Sequence, residues 1–205
     1  MRLLLALLVL SASPTPEPQA AELARRVEAR EKGLVDLQAS FEQRYRSGAL
    51  GRELVEHGRL LLKPPGRMRF EYVSPEKKTF VSDGSTSYFY VPGDHQVIVQ
   101  SLKGERGVLL SLLAGREGIL DRFEASLEPG TGAAQRLRLT PRKPDPDVES
   151  VVVEVDPSSL VRRIEIMDAQ GDKTEFRFDE IRENTGVPDV TFHFSPPKGV
   201  EVIEG

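Results

Sequence analysis

The dominant pattern along the chain is alternation of apolar and polar residues, clearest between Gly58 and Val99 (GRLLLKPPGRMRFEYVSPEKKTFVSDGSTSYFYVPGDHQVIV). Met68, Phe70 and Tyr72 alternate there with Arg67, Arg69 and Glu71. Successive side chains of a strand point to opposite faces, so this run has one apolar and one charged face. Turn chemistry punctuates the stretch. Lys63-Pro64-Pro65-Gly66 stops a strand, Ser82-Asp83-Gly84-Ser85 predicts a tight hairpin with Gly at positive φ, and Pro92-Gly93-Asp94 makes a third turn. An antiparallel meander is predicted.

The same alternation recurs on both sides of it. Leu37, Ala39, Phe41, Gln43 and Tyr45 predict a preceding strand. Phe123 to Leu127, Leu137 to Leu139, Val151 to Val155, Ile164 to Ile166, Phe176 to Phe178 and Val190 to Phe194 predict later ones. Asp168 to Asp172 reads as a hairpin turn and Pro141 to Asp147 as a loop. The total is about ten strands. Two segments switch to a helical period. Ala21 to about Lys32 places Leu23 and Val27 among Glu and Arg, with Gly33 to end it. Arg106 to Ala114 places Val108, Leu109, Leu112 and Leu113 on one side with almost no charge, and Gly115 and Gly118 frame the connection that follows. A large antiparallel sheet with one apolar face must close on itself or be covered. A curved sheet with short helices across its concave side fits this pattern.

Length and composition narrow the class. The 205 residues suit one domain, expected over 21–205, after an export leader over 1–20. Met1-Arg2 is a short positive start, Leu3 to Leu10 an apolar core of eight residues, and small residues lead to Ala20. Eight apolar residues fall well short of the roughly 20 that span a bilayer. A net charge of −4 gives no general pull toward nucleic acid. With no cysteine there is no disulfide, thiol nucleophile or thiolate metal site, and no residue to carry a lipoprotein's lipid. The expectation is a soluble periplasmic protein.

Candidate chemistry is sparse. His57, His95 and His193 have no His or Cys partner at ligand spacing, and Asp168, Asp172 and Glu175 lack the order of a calcium loop. No nucleophile elbow, phosphate loop or dinucleotide fingerprint is present, and Asp145 and Asp147 sit in a proline-rich loop. No enzyme, cofactor or metal is expected. Arg67 and Arg69 read as the solvated face of a strand or as an anion patch. The surplus of apolar sheet residues reads either as ordinary core or as the wall of a cavity, with Val108 to Ala114 as a movable cover.

Several short motifs, in order and spacing, carry a resemblance. They are Phe41-x-Gln43, Gly58-x-Leu60, Lys63-x-Pro65-Gly66-x-x-Arg69-Phe70-x-Tyr72, Val81-Ser82-Asp83-Gly84 and Tyr88-x-Tyr90-x-Pro92. Asp168-x-x-Gly171, Phe176 and Phe192-x-Phe194-x-Pro196-Pro197-x-Gly199-Val200 complete the set. Together they resemble the periplasmic outer-membrane lipoprotein carrier family, LolA. The resemblance implies a mainly β (α+β) fold: an incomplete, curved antiparallel β-barrel with an α-helical lid over a hydrophobic cavity. It implies a monomer that takes lipoprotein acyl chains from a LolCDE-type ABC transporter of the inner membrane and passes them to a LolB-type outer-membrane receptor. Carried over by position, Phe41, Met68, Phe70, Tyr72, Phe176 and Phe178 form the acyl-binding wall, and Leu109, Leu112 and Leu113 the lid. Two departures stand out. Pro64 occupies the place where the best-known members carry an arginine that holds the lid, leaving Arg67 or Arg69 as candidate latches. Phe70 and Tyr88 stand where tryptophan is common. The competing reading is a periplasmic lipid or lipoprotein sensor of the same superfamily, resembling anti-sigma partner proteins; those usually carry a second domain, for which this chain is short.

Overall fold

Alternation and turn residues together set the strands. In a computed structural model, which describes residues 16–102, 107–113 and 118–205, the chain runs α1 (Pro16–Lys32), β1 (Leu37–Arg46), β2 (Glu53–Lys63), β3 (Arg67–Ser74), β4 (Lys78–Asp83), β5 (Thr86–Val91) and β6 (Gln96–Ser101). It continues through α2 (Val108–Leu113), α3 (Ile119–Arg122), β7 (Phe123–Glu128), β8 (Gln135–Pro141), β9 (Ser150–Val155), β10 (Val161–Met167), β11 (Lys173–Glu183) and β12 (Glu201–Glu204). The strands form one sheet in the order β12-β6-β5-β4-β3-β2-β1-β11-β10-β9-β8-β7. It is antiparallel except where β12 runs parallel to β6, and it is open, with β7 and β12 at its edges. Gly66 and Gly84 take φ of +75° and +99° in the turns around β3 and β4, the conformation the sequence reserves for them.

Register gathers the largest apolar set of the sheet on one inner face, while Leu61, Val81, Tyr88, Tyr90 and Val97 fall on the outer one. Phe41 lies opposite Phe178 and Gly58, Leu60 opposite Phe70, and Phe70 opposite Phe80. The helices cover this face. Ala20, Leu23, Ala24 and Val27 form the buried stripe of α1, spaced at one helical face. Glu28 in the C-terminal part of α1 accepts the Ile119 N–H at 2.5 Å, capping the start of α3 and tying the two helices together. Val108, Leu112 and Leu113 of α2 join the same continuous core as α1 and the sheet.

The outer face differs from expectation near its end. Val190, Phe192 and Phe194 do not form a strand; residues 184–200 cross the outer face as a strap, with a 3₁₀ turn over Asp189–Phe192. Pro188, Pro196 and Pro197 have no N–H to give a ladder, so the chain packs by side chains instead. Phe192 buries against Leu61 and Val187, and Phe194 lies 5.4 and 5.7 Å from the rings of Tyr88 and Tyr90. The strap delivers β12 to the edge of β6, a strand the alternation had not revealed, making twelve strands among the described residues rather than about ten. The first helix also starts earlier than its periodicity suggests, at Pro16. Most of the expected leader, together with Arg106, Ala114 and Gly115, lies outside the described residues.

Candidate functional site

The residues assigned to the cavity wall converge. Phe41 meets Phe70 and Tyr72 edge-on at centroid distances of 5.1 and 5.0 Å. Phe176 lies 5.7 Å from Phe70 and stacks on Phe178 at 6.3 Å. Met68, Phe41, Phe70, Phe176 and Phe178 are all buried in one cluster, with Tyr72 partly buried against it. One glycine makes this floor possible. A Cβ at Gly58 would stand 2.6 Å from the Phe41 ring and 2.2 Å from the Glu71 carbonyl oxygen, so only glycine lets the ring lie across β2.

The three lid leucines also arrive there. Leu112 and Leu113 are buried in the floor's own cluster and Leu109 packs half-buried against it. Floor and cover therefore belong to one continuous apolar core. An open cleft of about 530 Å³ runs beside the start of α2, lined by Leu102, Val108, Arg122, Asp145 and Val148 among others. A second, of about 650 Å³, lies between α1, α3 and the β7 edge.

The expected latch residues point elsewhere. Arg67 and Arg69 alternate with Met68 and Phe70 and so project from the outer face. Arg67 pairs with Asp189 at 3.0 Å, and Arg69 donates to the Thr191 carbonyl at 3.2 Å and to Glu71 at 2.7 Å. Lys63 joins them, donating to the Val187 carbonyl at 2.9 Å and pairing with Asp189. These cations hold the strap rather than the lid.

Four acidic or polar positions escaped the sequence reading. Asp36, fully buried, starts the strap: its carboxylate accepts from the backbone N–H groups of Thr185, Gly186 and Val187 and from the Thr185 hydroxyl at 2.7–3.1 Å. Burial opposes its charge, but these donors prevail and hold its pKa below the ordinary carboxylate range. Glu31 continues the apolar stripe of α1 one turn beyond Val27 and is buried with one carboxyl oxygen unpartnered. Burial pushes its pKa up to about 8, with Arg30 opposing and Glu183 reinforcing the shift. Glu56 and Lys78 form a 2.5 Å ion pair at the end of the aromatic floor. The signal was present for Glu56, a charged residue in phase with Gly58, Leu60 and Leu62. The Tyr72 hydroxyl beside them donates to Gln43 at 2.6 Å, and burial, then the Glu56 carboxylate, holds that phenol well above its ordinary pKa.

Comparison with known proteins agrees with this architecture. Residues 32–195 match the family model of the outer membrane lipoprotein carrier protein LolA. The outer-membrane lipoprotein carrier protein of Alkalilimnicola ehrlichii is 32% identical over 201 residues, covering 96% of this chain and 90% of that protein. That of Chromobacterium violaceum is 28% identical over 193 residues, covering 92% and 90%. The crystal structure of a LolA superfamily protein from Nitrosomonas europaea is similar in fold, with a TM-score of 0.50 at 14% identity over 85% of this chain and 97% of that one.

Proposed function

The chain belongs to the outer-membrane lipoprotein carrier family, and from that premise we propose that it is a periplasmic chaperone that shelters lipoprotein acyl chains between the inner and outer membranes. A LolCDE-type transporter would load it and a LolB-type receptor would unload it. The observation that carries this reading is the covered aromatic floor. A sheet face of Phe41, Phe70 and Phe176 shares one continuous apolar core with a six-residue helix that contributes Val108, Leu112 and Leu113 to it.

The physics suits the task. Each acyl methylene left in water costs about 0.8 kcal/mol, so an acylated protein needs shelter in transit. Release without a nucleotide requires that no strong directional bond hold the cover. A helix of six residues is too short to persist alone, so α2 is helical only while docked, and detaching it frees apolar surface that a chain can fill. The acyl chain replaces the contacts of Leu112 and Leu113 on the floor, so burial is exchanged rather than lost. Phe41, Met68, Phe70, Tyr72, Phe176 and Phe178 are then the wall, and Leu109, Leu112 and Leu113 the lid.

Native mass spectrometry of protein recovered from the periplasm tests the proposal. Acylated adducts, or uptake of an added diacylated lipopeptide, are the expected result. A clean unliganded mass that ignores added lipopeptide would overturn it.

A further inference from the structure

The aromatic floor ends in charge. Gln43 and Glu56 face each other across β1 and β2, and Tyr72 and Lys78 across β3 and β4, all on the inner face. Glu56 is 3% exposed, its carboxylate 2.5 Å from the Lys78 ammonium, which sits 4.8 Å above the Tyr72 ring. That ring packs on Phe41, so the ammonium stands one ring away from the apolar floor. Burying an ion pair rarely stabilises more than an apolar pair of similar volume, so the pair needs a reason other than stability.

We propose that Gln43, Glu56, Tyr72 and Lys78 form a polar subsite that receives the carbonyl end of an acyl ligand whose hydrocarbon chain lies on the aromatic floor. The inference rests on the carrier reading above and names a polar contact within it. An ammonium has three donors, of which Glu56 takes one. The ligand's carbonyl oxygen accepts another as the chain enters. The charge of the subsite also selects. Lys78 and Glu56 sum to zero, so a neutral ester or amide, as in an acylated protein, meets a donor at no electrostatic cost. A free fatty acid must give up the water around its carboxylate and set it beside a cation already neutralised by Glu56, and is disfavoured.

Displacement of a bound anilinonaphthalene dye by methyl palmitate and by palmitate at pH 7.5 tests this. Unsubstituted protein is expected to take methyl palmitate about tenfold more tightly than palmitate. Glu56→Gln should erase that preference by strengthening palmitate binding. Lys78→Met alone strands a buried carboxylate and can fail to fold, so the informative partner is the double variant Glu56→Gln/Lys78→Met, which should bind the ester about tenfold more weakly. Thermal melting of each variant confirms folding. Ester and acid bound alike by unsubstituted protein, or variants with unaltered affinities, would overturn the subsite and leave the carrier reading standing. Failure of the unsubstituted protein to take either probe would overturn both.

Discussion

The same sheet is covered twice, and the two covers are built from opposite materials. On the inner face α2 is held through Val108, Leu112 and Leu113, all buried and none able to form a hydrogen bond through its side chain. On the outer face the strap of residues 184–200 adds directional bonds to the apolar contacts of Phe192 and Phe194. Asp36 clamps its start, Lys63 and Arg67 grip Asp189, Arg69 holds the Thr191 carbonyl, and β12 pairs with β6 at its end. Hydrophobic contact is non-directional and can be handed from one apolar partner to another, whereas an opened buried hydrogen bond leaves an unsatisfied group. In the proposed carrier cycle one cover is the exchangeable one and the other fixed, so that strand order stays constant while the inner surface changes occupant.

Substitutions that exchange the two characters test this contrast. Asp36→Ala should have the largest effect on stability. It leaves three backbone N–H groups of the strap, that of buried Val187 among them, without their acceptor, a loss of about 3 kcal/mol in urea unfolding, with proteolytic nicking first appearing between residues 184 and 200. Leu112→Asp should come next. It sets a charge against the floor, at a cost of several kcal/mol if docked, so α2 should release. The sheet is expected to keep its unfolding transition while lipopeptide uptake falls at least tenfold. A variant that loses the sheet as well would make α2 ordinary core.

Smaller effects sharpen the comparison. Glu31 is held neutral in the fold up to a pH of about 8 but ionises freely when unfolded. Its protonated state is matched in both forms at acid pH. As pH rises from about 4.5 to about 8 the unfolded chain gains a favourable ionisation that the fold denies, so stability should fall through that window. Glu31→Gln should flatten the slope, by about 1–2 kcal/mol between pH 5 and pH 8 in denaturant titrations. Asp36 behaves in the reverse sense: its lowered pKa contributes stability above the ordinary carboxylate range that is lost only as pH falls into strong acid. Arg67→Ala should change least. Its partner Asp189 is mostly exposed, so the melting midpoint should barely move and lipopeptide uptake should be unchanged. Faster uptake by this variant would show that Arg67 holds the lid after all.

The strands from β1 to β11 and the turns at Gly66, Gly84 and Asp168 to Asp172 were legible in the chain, and the grouping of Phe41, Phe70 and Phe176 came with the family resemblance. These features follow from local rules: a two-residue alternation assigns faces, and Gly, Pro and Asp mark where a strand must stop. Motif order was enough to suggest the family. What alternation could not convey was which residues meet across distance. Phe192 and Phe194 look like another strand because apolar residues at spacing two also suit an irregular segment lying on a sheet. Arg67 and Arg69 were plausible latches until the strap came to lie over them. The roles of Asp36 and Lys78 depend on partners 149–151 and 22 residues away in sequence, through Thr185 to Val187 and through Glu56. A carboxylate's partner, unlike its face, is set by the packing of the whole sheet, and only the tertiary structure decided it.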